Sequence, residues 1–448
     1  MAISLEEKRS FPRVKVNCNT YVSRNRVALI DLSEGGLSFD APELITRPSV
    51  SLQVQFPDRK FTLQTRAEVI WEKNAQENIY TYGVKFINLK GKDHSALRQE
   101  LIKVKIEGLL IDVKSEAVKE HISYFFLNSV NDYISKVIVF ASRIQEESPH
   151  SLEMQKEIEH LNTEILLRGY GLSLLLSDND VMRRVKELFR SLVGAWAYKG
   201  IVLKKAFENK EGYCGDFMAL EAVYNNKPLS KGLGGYYDRD FLRSPYAVAL
   251  RSRNNKIGEM LREYINRNDR KLTINILNLA CGSCREIMAL AGTLESKSSL
   301  SFICIDGDSE ALRFARSLFK KLPADISAYC LKKNVTEMEK VEKGLKGLGW
   351  QDLIYSAGLM DYLPDKILKE WLQFFSRDLS KGGQFIVTHQ NREKNLPPLF
   401  PEWFCGWNFV SRSKDEFIAL LRAALPGFSL DVAGDEFSYI YYFTLTKI

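Results

Sequence analysis

Four near-continuous apolar or β-branched runs, residues 274–279, 300–305, 352–356 and 384–388, are each followed by a stretch compatible with a helix. Strands that do not alternate must be covered on both faces, and such runs separated by helices mark a doubly wound parallel sheet. The C-terminal part, residues 211–448, is therefore expected to be an α/β Rossmann-like domain with ligands outside the carboxyl ends of its strands. The hydrophobic period before it is different. Up to about Gly108 short alternating runs (26–30, 50–56, 61–67 and 82–87) are divided by turn residues such as Glu34-Gly35-Gly36 and Pro57-Asp58, which predicts a small antiparallel β-barrel. His94, Leu97, Leu101 and Val104 then fall at helical spacing and would cover one end of that barrel.

Residues 109–210 keep a helical period throughout. Val118, Ile122, Phe125, Ser129 and Tyr133 trace one stripe and Met154, Ile158, Leu161 and Ile165 a second. Val181, Val185, Leu188, Leu192, Trp196 and Ile201 trace a third, with Asp178-Asn179-Asp180 as its helix cap. The stripes read as packed faces of a helical linker, and a homodimer through one of them is compatible with the pattern. The expected organisation is multidomain: a barrel over 1–108, a helical region over 109–210 and the α/β domain over 211–448.

Composition narrows the class. No apolar run approaches the roughly 18 residues that a spanning helix needs, and Met1-Ala2-Ile3-Ser4-Leu5-Glu6-Glu7-Lys8 is not a signal peptide, so a cytoplasmic location is expected. The net charge of +7 is small for 448 residues, and residues 109–210 carry 14 basic against 14 acidic side chains, which argues against a nucleic-acid partner. Seven scattered cysteines fit a reducing compartment. Cys281 and Cys284 have redox spacing but stand in a strand-to-helix turn without a second such pair, and the five histidines are dispersed, so no metal site is expected.

Two arginines four apart, Arg9 and Arg13, precede a DxSxxG segment, Asp31-Leu32-Ser33-Glu34-Gly35-Gly36. In this order and on a β-rich background they resemble the PilZ domain, over about residues 7–105, which implies binding of the second messenger cyclic di-GMP. The chemistry suits the residues: arginine offers a planar fork to phosphate oxygens or a guanine edge. Arg9 and Arg13 are expected to clamp the ligand, Asp31 and Ser33 to accept from a guanine edge, and Gly36 to allow close backbone approach.

Residues 277–286, Leu-Asn-Leu-Ala-Cys-Gly-Ser-Cys-Arg-Glu, stand where a strand ends and a helix begins. They resemble the first motif of class I S-adenosylmethionine methyltransferases, with Ala280 and Cys284 in places usually held by Gly and Asn278 in one often acidic. Asp306, at the end of the next strand, would accept the ribose hydroxyls, Asp308 would cap the following helix, and Asn334 would meet the adenine edge. The resemblance extends over about 211–446, through segments such as 212–217, 247–253, 355–363 and 407–413, to bacterial methyltransferases described as extracellular-factor (3-hydroxypalmitic acid methyl ester) biosynthesis proteins. It implies S-adenosylmethionine as cofactor, with Asn278, Ala280, Cys281, Gly282, Glu286, Asp306, Asn334, Ser356 and Gly358 in its site, and methylation of a 3-hydroxy fatty acid carboxyl.

The acceptor is left open by residue chemistry. A carboxylate needs no base and could be held by Arg251 or Arg253, whereas a hydroxyl or amine would call on His389 or Asp361, with Asp216 a further candidate. Tyr362, Trp403 and Trp407 read as core aromatics. The competing class is a non-catalytic cyclic di-GMP effector whose methyltransferase fold serves as scaffold.

Overall fold

The computed structural model describes residues 11, 13–56, 61–76, 79–89, 91–144, 150–208, 217–294, 297–337, 349–391, 399–434, 437 and 439–448. The chain divides into two compact units, Met1–Lys199 with Lys231–Tyr236, and Gly200–Ser230 with Tyr237–Ile448.

The first unit opens with a closed barrel of order β1-β2-β3-β6-β5-β4, formed by β1 (Asn19–Val22), β2 (Asn25–Ser33), β3 (Gly36–Ala41), β4 (Ser49–Phe56), β5 (Phe61–Gln76) and β6 (Ile79–Ile87). Every strand pair is antiparallel. Leu32, Phe39, Val54, Ala67 and Tyr82 fill the interior at zero exposure. The sequence pattern exposed four of the six strands. The β1–β2 hairpin escaped it because Ser23 and Arg24 take φ of 48° and 77°, a two-residue turn made without the usual Asn or Gly. β3 escaped because it is buried on both faces and does not alternate.

Helix α1 (Gly91–Leu110) puts Leu97 and Leu101 into the barrel core, as its spacing suggested. α2 (Glu116–Tyr124) runs through a π-helical turn, Phe125–Val130, into α3 (Asn131–Ser142), followed by α4 (Leu152–Leu175) and α5 (Asn179–Ala197). Asp178 caps α5 by accepting the Asp180 and Val181 N–H groups at 2.9 and 3.1 Å. The first two stripes face inward. The third needs correction: Phe189, not Leu188, is buried beside Val185, and Ile201 is exposed and begins a separate helix, Ile201–Phe207.

The second unit is built on a seven-stranded sheet of order β12-β13-β11-β10-β7-β8-β9. Its strands are β7 (Thr273–Leu279), β8 (Ser299–Asp306), β9 (Ile326–Lys332), β10 (Gln351–Ser356), β11 (Leu379–Gln390), β12 (Phe428–Gly434) and β13 (Ile440–Lys447). β7 to β11 run parallel, and β13 pairs antiparallel with both β11 and β12. One face is covered by the helices Pro245–Arg267, Arg285–Ala291 and Ser309–Phe319, through residues such as Leu261, Ile287 and Leu312. The other is covered by Asp365–Ser376 and Lys414–Ala424, through Trp371, Phe375, Phe417 and Leu421. The chain leaves β7 toward β8 on one side while β10 pairs on the other, so a crevice opens at their carboxyl ends.

Candidate functional sites

In the first unit the Arg13 guanidinium forms an ion pair with Asp31, whose Oδ1 also accepts the Ser38 hydroxyl at 2.6 Å. Val14, next to Arg13, exchanges two backbone hydrogen bonds with Leu32 (2.8 and 2.9 Å), which ties the arginine segment to the DxSxxG strand. Arg13 and Asp31 are thus brought together. Arg9 lies outside the described residues. Ser33 is turned inward: it is buried and its hydroxyl donates to the Gly36 carbonyl at 3.0 Å, closing the turn. Gly36 has a packing reason of its own, since a Cβ there would lie 2.0 Å from the Val84 carbonyl of β6.

In the second unit the crevice is a cavity of about 760 Å³ at the ends of β7, β8, β9 and β10. Ala280, Gly282, Asp306, Asn334 and Gly358 line it, as the sequence suggested. The β7 turn holds the conformation of a glycine-rich loop with a single glycine: Ala280, Gly282 and Cys284 take φ of 56°, 53° and 55°. For Ala280 and Cys284 the left-handed region costs roughly 1–2 kcal/mol each. Asp306 holds this turn, its Oδ2 accepting the Gly282 N–H at 2.7 Å and its Oδ1 the Asp308 N–H at 2.8 Å. Burial pushes the Asp306 carboxyl up, and the N–H groups of Asp308, Gly282 and Gly307 oppose that shift. Asp308 caps the helix Ser309–Phe319, as expected. Asn334 Oδ1 accepts the N–H and hydroxyl of Thr336 at 3.0 and 2.8 Å.

Asn278, Cys281 and Glu286 line a smaller adjoining recess together with Tyr224 and Arg253. Glu286 Oε1 accepts from Asn278 Nδ2 and from the Tyr355 hydroxyl, both at 2.8 Å, and burial pushes its carboxyl up to about 7. One partner here was not legible in sequence. Glu221 takes the Ser283 hydroxyl at 2.6 Å and the Arg285 Nε at 2.9 and 3.0 Å, which fastens the turn to the helix Phe217–Asn225. Ser356 does not line the cavity; its hydroxyl is buried without a hydrogen-bond partner among the described residues.

The acceptor candidates separate. Arg253 lines both the cavity and the recess, donates to Tyr224 and lies in the field of Asp361. Gly358 (φ 92°) makes room for it, since a Cβ there would stand 2.3 Å from Arg253 Nη1. Arg251 is taken up elsewhere, donating to the Leu242 carbonyl at 3.0 Å and the Val223 carbonyl at 3.4 Å. His389 is sequestered: 2% exposed, stacked on Phe417 at 4.4 Å and 2.6 Å from Asp361 through Nδ1. Asp361 accepts the Gln390 N–H at 3.0 Å. Neither His389 nor Asp361 lines the cavity, and Asp216 lies outside the described residues. Of the three aromatics read as core, Trp403 and Trp407 are buried, and Trp407 together with the half-buried Tyr362 also lines the cavity with Tyr246, Phe217 and Leu220. The described cysteines are all free, and Cys281, Cys284 and Cys304 share the buried core beneath the turn. Among the described residues no group of His, Cys, Asp and Glu could hold a metal ion, and no helix is long and apolar enough to cross a membrane.

Residues 7–103 match the family model of the PilZ domain, and residues 175–391 match the family described as "Putative methyltransferase". The chain therefore carries a PilZ domain and a methyltransferase domain. No curated protein matches it. Among solved structures, a "possible exported protein" from Bordetella parapertussis is 17% identical, with 75% of this chain and 99% of that one covered and a TM-score of 0.38. The magnesium protoporphyrin IX methyltransferase of Synechocystis PCC 6803 with bound S-adenosylmethionine is 9% identical, covering 46% and 85%, at a TM-score of 0.33. An S-adenosylmethionine-dependent methyltransferase from Clostridium acetobutylicum is 13% identical, covering 43% and 92%, at 0.32.

Proposed function

We propose that this chain is a cyclic di-GMP-responsive, S-adenosylmethionine-dependent methyltransferase that esterifies a carboxylate carried on an apolar body. A 3-hydroxy fatty acid is the acceptor suggested by the sequence resemblance. The residues fit the cofactor: Asp306 keeps a second lone pair on each oxygen for ribose hydroxyls, the Ala280–Gly282 turn offers a close backbone approach, and Asn334 stands where the adenine edge would lie. When bound, the cofactor would supply a methyl group on a positively charged sulfur.

The observation that carries the carboxylate reading is Arg253 in the lining of the cavity, beside Gly358 at the end of β10. The lining carboxylates Asp306, Asp308 and Glu310 all stand at the end of β8. Burial raises the Tyr246 phenol, which therefore stays protonated at neutral pH, and His389 is behind Phe417. Among the described residues the cavity lining thus holds the Arg253 and Arg313 guanidiniums and aromatic rings, and no base apart from the carboxylates at and just after the end of β8. An ionised carboxylate has no proton to lose, so holding it in line suffices. The free thiols of the described cysteines agree with a reducing, cytoplasmic setting.

The test is incubation of the full chain with methyl-deuterated cofactor and a panel of fatty acids, 3-hydroxy fatty acids, alcohols and amines, read by mass spectrometry. Labelled methyl esters are expected. Labelled ethers or amines would overturn the carboxylate assignment, and cofactor binding without any labelled product would favour the scaffold reading.

A further inference from the structure

Phe11 lies inside the arginine segment, between Arg9 and Arg13, where none of the expected ligand contacts needs an aromatic ring. Its ring is nevertheless in a defined slot. One wall is Gly35 of the DxSxxG turn, where a Cβ would come within 2.8 Å of Phe11 Cδ2. The second is His94 of α1, edge-on at 5.4 Å between ring centroids, and the third is Trp196 of α5, edge-on at 5.9 Å. Trp196 is itself 8% exposed, so one ring joins the nucleotide-reading turn, the helix that closes the barrel and α5 of the helical region.

The same turn holds a second group under that slot. Glu34 Oε2 lies 3.4 Å from His94 Nδ1 and 3.8 Å from Arg98 Nε, while Arg98 Nη2 donates to Ser135 of α3 at 3.0 Å. Both side chains are buried, yet Glu34 Oε2, Arg98 Nε and Arg98 Nη1 have no hydrogen-bond partner among the described residues. The turn is thus held to α1 by ion-pair attraction at 3.4 and 3.8 Å.

We infer that Phe11 is the coupling residue of the PilZ domain: through its slot between Gly35, His94 and Trp196 it transmits occupancy of the nucleotide site to the helical region. This rests on the reading that the chain binds cyclic di-GMP through Arg9 and Arg13. Both arginines are within two residues of Phe11, so the ligand they clamp resets the backbone that carries the ring. Phe11 itself is a positioning residue.

The full chain labelled with 5-fluorotryptophan gives one fluorine resonance per tryptophan, and that of Trp196 is assigned by its loss in Trp196→Phe. Saturation with cyclic di-GMP, followed in parallel by calorimetry, is expected to shift the Trp196 resonance of the wild type. Phe11→Ala should still reach saturation but lose that shift. Phe11→Leu keeps an apolar side chain on Gly35 while removing the ring edges, and should show a reduced shift, which guards against misfolding of the alanine variant. A Trp196 resonance that stays fixed while calorimetry records binding, or that moves equally in Phe11→Ala, overturns the coupling role. Absence of calorimetric binding by the wild type overturns instead the ligand reading, and with it the input to this link.

Discussion

The Asp306 carboxylate accepts the Gly282 N–H at 2.7 Å, so the residue read as the ribose acceptor also pins the strained turn after β7. Asp306→Ala should therefore act twice. Without cofactor it removes a charge-assisted bond to the turn and lowers the thermal midpoint by an amount equivalent to roughly 1.5–3 kcal/mol. With cofactor it should weaken S-adenosylmethionine binding by more than tenfold in calorimetry, through ribose hydroxyls left without acceptors. Unchanged affinity in a folded variant would place the ribose elsewhere.

Ala280 tests the strain of the same turn. Its φ of 56° costs roughly 1–2 kcal/mol that glycine would not incur, and the added freedom of glycine in the unfolded chain takes back about 0.5–1. Ala280→Gly is therefore expected to stabilise by about 0.5–1 kcal/mol, seen as a higher midpoint in thermal unfolding. A lower midpoint would mean that the Ala280 methyl is needed for packing.

What could be read from the sequence, and what could not, divides along the range of the interactions. The β7 turn was recognisable because a strand, a run of small residues and a helix are local, and Asp306 because its place at the end of β8 follows from periodicity. His389 and Arg251 lie outside the cavity lining for reasons of packing. The place of His389 at a strand end was readable, but that Phe417 stacks over it, and that the Leu242 carbonyl nine residues before Arg251 receives the guanidinium, depends on packing that periodicity does not carry. Tyr362 looked like a core residue because an aromatic that lines a cavity carries the same hydrophobic pattern as one that fills it, and Trp407 does both. Glu221 had no local signal: it lies 62 residues before Ser283 and meets it only in the fold.

Glu286 and Glu34 give the chain a pH dependence with a definite sign. Burial raises each carboxyl from 4.5 to about 7, so between those values the folded chain binds more protons than the unfolded one. Their contribution is fully present below pH 4.5, is lost as pH rises through about 7, and amounts to at most about 1.4 kcal/mol per pH unit for each group. Glu286→Gln keeps an Oε1 acceptor for Asn278 and Tyr355 but cannot ionise. Thermal unfolding followed across this range should show a shallower decline for Glu286→Gln than for the wild type, and a flat profile from this source when Glu34→Gln is added. Parallel wild-type and Glu286→Gln curves would show that Glu286 is already ionised in the folded state.

Arg253 and Gly358 should behave as a pair. Gly358→Ala forces a Cβ into the left-handed region and onto Arg253 Nη1, so the guanidinium must leave its position. Both Gly358→Ala and Arg253→Met are expected to raise the KM for a carboxylate acceptor by more than tenfold, because a charge-assisted contact of about 1.5–3 kcal/mol is lost. Arg253→Met should retain its affinity for the demethylated cofactor within about threefold, a difference of under 1 kcal/mol. An unchanged KM combined with a large loss of cofactor affinity would move Arg253 from the acceptor to the cofactor.

The last prediction concerns Arg13, whose guanidinium is paired with Asp31. A phosphate or guanine edge that pairs with Arg13 must share it with Asp31, while Asp31 in turn keeps the arginine in the binding orientation with the help of Ser38. Arg13→Ala should weaken cyclic di-GMP binding by on the order of 2 kcal/mol, more than tenfold, since a forked charge-assisted contact disappears. Asp31→Ala removes both the competitor and the support, so its effect should be smaller than that of Arg13→Ala. The double variant should resemble Arg13→Ala alone, because Asp31 acts largely through the arginine. Calorimetry on the four proteins closes the cycle. Additive losses would mean that Asp31 contacts the nucleotide independently, and full affinity in Arg13→Ala would remove the clamp from this side of the barrel.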